Sequence, residues 1–326
     1  MIKTSRDAFA AMLARRGIHY GWAMVALAFL HPVFASASMG VPSVLIVPMS
    51  EDLGWSLGEL SAPQGLRLAL FGLTAPFAGG LMLRYGPRAM ITVAGACLVV
   101  GLYLAVTTTT KWQLWLGQGI LLGIAPGLTA SQISSVIASR WFKDRQGMVL
   151  GVLGGTSAAG MLLFMPLAGW VSIGWGWRIA MSIPMAGAVL SWLLFVWFAR
   201  DRPQEIGLPL YGETEVQPTP PPYRTNFVRL SFSALSMGSK RWIFWVLVFS
   251  FGICGVSSFG LTSSHLVPFC GELGVPYGTA AWVLATIGVF DLIGTIGSGW
   301  LSDRFDLQNL YPGRLVDPRI QAERPC

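Results

Sequence analysis

Two short segments of the sequence, 220 positions apart, match each other and constrain the fold more than any other feature. They are residues 79–88 and 299–306, and each ends a long apolar run with a basic, Gly-containing turn. The following residues are identical at this ungapped offset: Trp22 and Trp242, Val47 and Val267, Pro48 and Pro268, Leu53 and Leu273, Gly54 and Gly274, Gly58 and Gly278, Gly79 and Gly299, Leu81 and Leu301, Arg84 and Arg304. Such a match indicates an internal repeat. The chain is therefore predicted to contain two related parts.

The apolar runs are long enough to cross a membrane. Hydrophobic residues make up 53% of the 326 residues and charged residues only 11%, against about 25% charged in ordinary soluble domains. The apolar residues fall into blocks of roughly 20, the length a helix needs to cross a bilayer. The sequence therefore predicts an all-α, polytopic membrane protein. The predicted helices are 22–48, 59–83, 89–109, 113–138, 147–171, 178–199, 241–268 and 278–300.

These helices form two unequal groups. Residues 1–21 are a basic N-terminal segment, 22–199 hold six helices, 200–240 are a polar, Pro-rich linker, 241–306 hold two helices, and 307–326 are a polar tail. Nineteen of the 22 Lys and Arg residues lie in the N-terminal segment and in residues 84–88, 139–146, 200–241 and 301–326. The positive-inside rule therefore predicts that the N-terminus and the linker are cytoplasmic in a multi-pass protein of the cell membrane.

Several function classes find no support in the sequence. The four cysteines are scattered without CxxC spacing, which indicates neither a disulfide framework nor a metal site. No HExxH, Gly-x-Ser-x-Gly or phosphate-binding loop is present, so neither an enzyme nor a cofactor is predicted. The net charge of +7 follows membrane topology and does not indicate nucleic acid. The expected partners are a small-molecule solute and the lipid bilayer.

The turns resemble a known signature. The pattern Gly-x-Leu-x-Asp-Arg at residues 299–304 resembles the loop signature of the major facilitator superfamily. The linker opening at 201–212 and the stretch Arg140-Trp141-Phe142-x-x-Arg145-Gln146-Gly147 are similar to oxalate/formate antiporter-like and monocarboxylate transporter-like members. The resemblance implies twelve helices in two halves that move a solute by alternating access.

The resemblance also implies helices that the sequence does not contain. At an offset of 220, residues 89–199 should recur at about 309–419, but residues 307–326 hold no apolar run. The expectation is a C-terminally truncated chain with six helices of the first half and only two of the second. An eight-helix variant is the alternative.

The two turns are the candidate gating loops. Their candidate residues are Gly79, Arg84, Gly86, Arg88, Gly299, Asp303 and Arg304. The resemblance implies that an Asp in each turn ties it to neighbouring helix ends, yet Leu83 stands where the family usually carries that Asp. Gate control in the first half is therefore in doubt. The arginines also have a simpler interpretation as topology anchors.

Polar residues inside apolar helices are candidates for solute binding, because charge in a membrane is costly unless it has a role. Arg67 could attract an anion or could snorkel to the outer interface, about 12 Å from the helix start. His31 could bind solute or be a structural histidine. Gln118 and Gln132 add hydrogen-bonding capacity along one side of the fourth helix. Asp291, midway along the eighth helix, is the candidate for proton coupling.

These residues predict a secondary active transporter of a small organic solute, a carboxylate anion, driven by an ion gradient. Monocarboxylate-type members often carry an Arg one turn after the helix-eight Asp, whereas this chain has Thr295, which weakens that assignment. The alternatives are a truncated fragment that transports nothing and a drug/proton efflux protein. An Arg near Gly117 and a Gly-Pro pair in helix five are both absent, which counts against efflux.

Overall fold

The computed structural model describes residues 2–216, 218, 227–257, 269–270, 273–274 and 277–304, and these residues form an all-α fold, as predicted. The α-helices are α1 (Ile2–Arg15), α2 (Tyr20–Val44), α3 (Ile46–Leu53), α4 (Leu57–Val106), α5 (Lys111–Leu114), α6 (Leu122–Trp141), α7 (Gln146–Gly154), α8 (Thr156–Trp175), α9 (Trp177–Phe198), α10 (Phe227–Ser239), α11 (Trp242–Gly255) and α12 (Tyr277–Arg304). A π-helix, Trp115–Leu121, joins α5 to α6, and a 3-10 turn, Pro203–Ile206, follows α9.

Five helical stretches of the described residues are long and apolar enough to cross a membrane. They are Tyr20–Val44, Leu57–Val106, Lys111–Trp141, Gln146–Trp175 and Trp177–Phe198. Helix α4 has 50 residues, or about 75 Å at 1.5 Å per residue, which is enough for two crossings. It turns at Gly86, whose φ of 82° and ψ of 159° are non-helical. The first predicted loop therefore lies at this turn.

Two of the elements fall in segments for which the sequence predicted no helix. Helix α1 lies within residues 1–21 and α10 lies within the linker. The first membrane helix also ends earlier than predicted, because α2 stops at Val44 and Leu45 has φ −90° and ψ 0°. Residues 258–268 of the predicted seventh helix and the tail 307–326 lie outside the described residues.

Glycines bring α6 against α4 at the height of Arg67. A Cβ on Gly123 would lie 3.0 Å from the Arg67 carbonyl oxygen and 2.9 Å from the Cβ of Leu70. One turn on, a Cβ on Gly127 would lie 2.9 Å from the carbonyl oxygen of Phe71. Small residues allow such close backbone approach in a membrane bundle. This close approach of the two backbones brings polar residues of α4 and α6 to the same level of the bundle.

Helix α12 packs along α7 and α8. A Cβ on Gly151 would lie 2.8 Å from the Thr295 carbonyl oxygen, and one on Gly147 would lie 2.6 Å from a carboxylate oxygen of Asp303. Leu292 and Gly288 continue this contact toward Gly155 and α8. Helix α11, in contrast, has no buried residue. The α7–α12 contact therefore connects the first six-helix group to the second group.

One end of the bundle carries the linker and is called the linker end here. Its apolar core includes Tyr20, Trp141, Phe142 and Phe195, all less than 3% exposed. The Tyr20 hydroxyl donates to the Phe198 carbonyl at 2.5 Å, so the start of α2 is tied to the end of α9. The other end carries the loops around residues 45–57, 107–111 and 175–178.

Candidate functional site

The Arg67 guanidinium lies inside the protein. The residue is 4% exposed, which favours an interior position over snorkelling to the interface. Its Nη1 donates to the Ser38 carbonyl at 3.3 Å and its Nη2 donates to the Met39 carbonyl at 2.9 Å. Within the part of the chain that the structure describes, no carboxylate forms an ion pair with it. Arg67 is therefore a buried cation whose hydrogen-bond partners among the described residues are neutral carbonyls.

One of the two partner carbonyls, that of Ser38, is available because of a proline. In an α-helix the carbonyl of residue 38 would accept from the N–H of residue 42, but Pro42 has no N–H. Ser38 is 0% exposed, so its carbonyl would be left without a hydrogen-bond partner inside the protein. Arg67 supplies the missing donor and so links α4 to the outer part of α2.

Each of the four candidate solute-binding residues carries a buried polar atom that has no hydrogen-bond partner among the described residues. These atoms are His31 Nδ1, Arg67 Nε, Gln118 Nε2 and Gln132 Oε1. His31 and Gln118 are each 1% exposed. Such atoms are rare in proteins and require an explanation. Among the described residues, no hydrogen bond joins these four side chains to one another.

Their positions follow from the helices that carry them. His31 lies seven residues before Ser38, or two turns and about 10 Å along one side of α2. Gln132 Nε2 donates to the Ala75 carbonyl of α4 at 3.2 Å. Gln118 lies inside the π-helix, a conformation that often marks functional sites. Sequence reasoning missed this π-helix, because no motif in residues 115–121 indicates one.

Asp291 lies apart from this group. It is exposed on α12, which packs against α7 and α8, and among the described residues no ion pair joins it to Arg67. Thr295, one turn on, contacts Gly154 through its methyl group, where a Cβ would lie 3.1 Å away. An arginine at this position would meet the backbone of α7. The structure therefore does not bring Asp291 to Arg67.

Asp303 joins the second repeat to the first. Its two carboxylate oxygens accept from the backbone N–H groups of Gly147 and Met148, each at 2.7 Å. These groups lie in the first turn of α7, whose N-cap residue, Arg145, makes no side-chain capping hydrogen bond. A carboxylate at a helix N-terminus is favoured by the unpaired N–H groups and by the helix dipole. We call this contact the Asp303 latch.

The first turn uses a different carboxylate. Leu83 is 41% exposed, and the acid at this end is Asp201 of the linker, which accepts from the Arg88 N–H at 2.9 Å. The Arg88 side chain donates to the Val196 carbonyl at 3.4 Å. Sequence reasoning missed Asp201, because its partner lies 113 residues away.

The remaining gating candidates stack on their neighbours. The Arg84 guanidinium lies 5.3 Å from the ring centre of Tyr85, and that of Arg304 lies 4.4 Å from the ring centre of Trp300. A Cβ on Gly79 would meet nothing within 4 Å, whereas Gly299 approaches the backbone of Gly151. The two glycines thus align in the repeat but differ in their surroundings.

An ion-pair cluster holds the opposite end of the bundle. The Asp52 carboxylate accepts from the indole N–H of Trp177 at 3.0 Å and from the Arg178 guanidinium. Arg178 also donates to the Thr108 carbonyl at 3.4 Å. The hydrogen bonds from Trp177 and Arg178 lower the pKa of Asp52. These contacts hold together the segments that contain Asp52, Thr108 and Trp177–Arg178.

Comparison with known proteins places this arrangement in a family. A family model described as Major Facilitator Superfamily matches residues 27–315. The chain belongs to the major facilitator superfamily. The predicted resemblance to this superfamily is confirmed, and its members are transporters and not enzymes.

Sequence relatives of this major facilitator protein include several monocarboxylate transporters. It is 26% identical to monocarboxylate transporter 13 of Bos taurus, over 87% of this chain and 62% of the relative. It is 27% identical to monocarboxylate transporter 11 of Mus musculus, over 87% of this chain and 60% of the relative. The chain thus spans about three-fifths of the length of these curated relatives. They agree with the monocarboxylate transporter-like resemblance of the linker opening.

A solved major facilitator structure shares the fold. The proton:xylose symporter XylE, bound to 6-bromo-6-deoxy-D-glucose, superposes with a TM-score of 0.59 at 16% identity, covering 88% of this chain and 70% of that chain. A second D-xylose-proton symporter structure gives a TM-score of 0.56 at 14% identity, with the same coverage of each chain. These likenesses establish the architecture in which Arg67 and Asp303 are placed.

Proposed function

We propose that this chain takes part in secondary active transport of a small organic anion, a carboxylate, across the cell membrane by alternating access. The observation that carries the proposal is Arg67, a buried cation without a carboxylate partner among the described residues. An uncompensated charge inside a membrane protein is costly. A carboxylate solute would neutralise this charge and could accept from Arg67 Nε, which has no hydrogen-bond partner among the described residues.

Neighbouring polar atoms support an anion with further hydrogen-bonding groups. The unpartnered atoms of His31, Gln118 and Gln132 lie on α2, the π-helix and α6, the helices that pack around α4 or each other. Amides can both donate and accept, and a neutral histidine can do either according to its tautomer. A hydroxylated or keto-carboxylate would use both kinds of contact.

Alternating access requires contacts between the halves that can open and close. The Asp303 latch is such a contact, because it joins α12 to the N-terminus of α7 through two hydrogen bonds. With the N-terminus and linker on the cytoplasmic side, as the distribution of Lys and Arg predicts, the latch closes the cytoplasmic end. Asp291, exposed on α12, which the sequence predicts to be a membrane helix, is the proposed carrier of the coupling proton.

The monocarboxylate relatives favour this solute class, although this chain has Thr295 where monocarboxylate-type members often carry an arginine. Here Thr295 packs on α7, so the anion-binding cation is proposed to be Arg67 on α4. The two arrangements place the positive charge in different halves.

The test is uptake of labelled short-chain monocarboxylates and dicarboxylates into proteoliposomes with an imposed proton gradient. Arg67→Gln should reduce uptake about tenfold or more, because hydrogen bonds to a charged group contribute roughly 1.5–3 kcal/mol. Arg16→Gln, which neutralises an exposed arginine before α2, is the matched control and should retain uptake. Asp291→Asn should abolish dependence on the gradient while exchange continues.

The possible outcomes distinguish the functions. Uptake unchanged in Arg67→Gln would reject Arg67 as the anion site. Transport of cationic drugs in place of carboxylates would favour proton-coupled efflux. Complete absence of uptake with a correctly folded protein would mean that this chain does not transport on its own.

A further inference from the structure

The start of the linker crosses the linker end of the bundle in an ordered way. Residues 203–213, which we call the linker strap, begin with the 3-10 turn Pro203–Ile206 and end beside the loop that connects α6 to α7. Ile206, Leu208 and Tyr211 pack against the apolar core at this end.

His19 holds the strap to the start of α2. Its Nδ1 accepts from the Gly21 N–H at 3.1 Å and so caps α2, while its Nε2 lies 3.1 Å from the Pro209 carbonyl. An imidazole nitrogen that accepts cannot carry a proton, so Nε2 is the donor to Pro209. The ring also contacts Tyr211, with centroids 5.6 Å apart. One side chain thus serves both the helix cap and the strap.

Tyr211 holds the strap to the α6–α7 loop. Its N–H donates to the Trp141 carbonyl at 2.8 Å, and its carbonyl accepts from the N–H of Lys143 at 2.9 Å and of Asp144 at 3.3 Å. Its ring lies 5.5 Å from that of Phe142 and 5.9 Å from the Arg145 guanidinium. Every residue from Trp141 to Arg145 therefore contacts this tyrosine.

The loop that the strap holds is the one that presents the latch. Arg145 has φ 63°, a left-handed conformation that residues other than glycine rarely adopt, and it directly precedes α7. Such a conformation persists only where surrounding contacts fix it. The second and third residues of α7, Gly147 and Met148, donate their N–H groups to Asp303.

We propose that the linker strap is a positioning element for the gate: His19 and Tyr211 fix the α6–α7 loop so that α7 presents its N-terminal N–H groups to Asp303. The strap therefore acts through the latch and touches no solute. Loosening the strap weakens the latch and favours opening at the linker end. The inference rests on the proposed gating role of Asp303, but its structural part can be measured without any solute.

Hydrogen exchange measured by mass spectrometry on the whole chain in lipid nanodiscs tests the proposal. Tyr211→Ala should raise amide exchange at Gly147 and Met148 about threefold or more, because local opening sets the exchange of protected amides. Tyr211→Phe keeps the ring and should behave as wild type. His19→Asn keeps a side-chain acceptor for the α2 cap but shortens the side chain that reaches Pro209, so it should also raise exchange at these two amides.

A double-variant comparison separates positioning from general loosening. In an Asp303→Ala background the two amides are already released, so adding Tyr211→Ala should change their exchange by less than about twofold. An equal increase in both backgrounds would overturn the proposal, as would increased exchange at Lys143 and Asp144 with none at Gly147 and Met148. If uptake is absent but exchange follows the expected pattern, the transport proposal fails while the strap proposal stands.

Discussion

The turn at Gly86 gives a quantitative test of how the linker end is held. Gly86 has φ 82° and ψ 159°, a conformation open essentially to glycine alone. A Cβ at this position would lie 2.7 Å from an oxygen of the Asp201 carboxylate, which accepts from the Arg88 N–H at 2.9 Å. Gly86→Ala should therefore disturb both the backbone and the cap.

The two parts of this effect can be separated by magnitude. The backbone conformation should cost an alanine about 2 kcal/mol, and loss of a charge-assisted hydrogen bond about 2 kcal/mol more. Gly86→Ala should thus destabilise by about 4 kcal/mol and Asp201→Ala by about 2 kcal/mol. In the double variant the carboxylate is already absent, so the total should be about 4 and not about 6 kcal/mol.

The measurement is the free energy of unfolding in mixed micelles, from titration with a denaturing detergent and intrinsic fluorescence. Asp201→Asn, which keeps one acceptor oxygen, is the matched control and should lose less stability than Asp201→Ala. Additive effects of the two substitutions would refute the contact between the Cβ and the capping carboxylate. A neutral Gly86→Ala would refute the assigned backbone conformation.

Two further predictions use the same unfolding assay. Gly151→Ala should destabilise the protein by about 1–3 kcal/mol, as overpacking does, because the new Cβ would lie 2.8 Å from a backbone oxygen of α12. The control is Gly174→Ala, which should be neutral or stabilising because a Cβ there would meet nothing within 4 Å. The lowered pKa of Asp52 predicts that wild type is more stable than Asp52→Ala near neutral pH. That difference should disappear as the pH falls below about 4 and through the lower folded pKa; a difference that persists in acid would contradict it.

The membrane architecture was predictable because it depends on length, apolarity and backbone chemistry that a sequence displays directly. Runs of about 20 apolar residues must be helices in a bilayer, and Gly86 followed by Pro87 predicts a turn between two of them. The end of α2 had a readable signal as well, since Pro42 leaves the carbonyl of Ser38 without its helical donor. That signal shows that the Ser38 carbonyl needs a donor from elsewhere in the chain, but it does not identify Arg67 as that donor.

Contacts between distant segments could not be predicted. Asp201 lies 113 residues from Arg88 and His19 lies 190 residues from Pro209. Histidine is not among the preferred residues at helix N-caps, so nothing in its local sequence indicated the role of His19. Amphipathic α10 was not predicted, because the linker that contains it is polar and rich in proline.

The two turns show how one repeat can be used in two ways. Asp303 lies within the second turn and binds the N-terminus of α7, a helix of the other group, so that carboxylate connects the groups. At the first turn the aligned residue is Leu83, and the capping acid comes from the linker and binds a helix of its own group. A carboxylate that spans the groups can be released when they move, whereas Asp201 stays with the helix it caps. The repeat therefore keeps the sequence pattern of the turn but differs in where the acid lies: in the proposed mechanism the turn with its own acid, Asp303, is a gate, and the turn that takes its acid from the linker is a fixed corner.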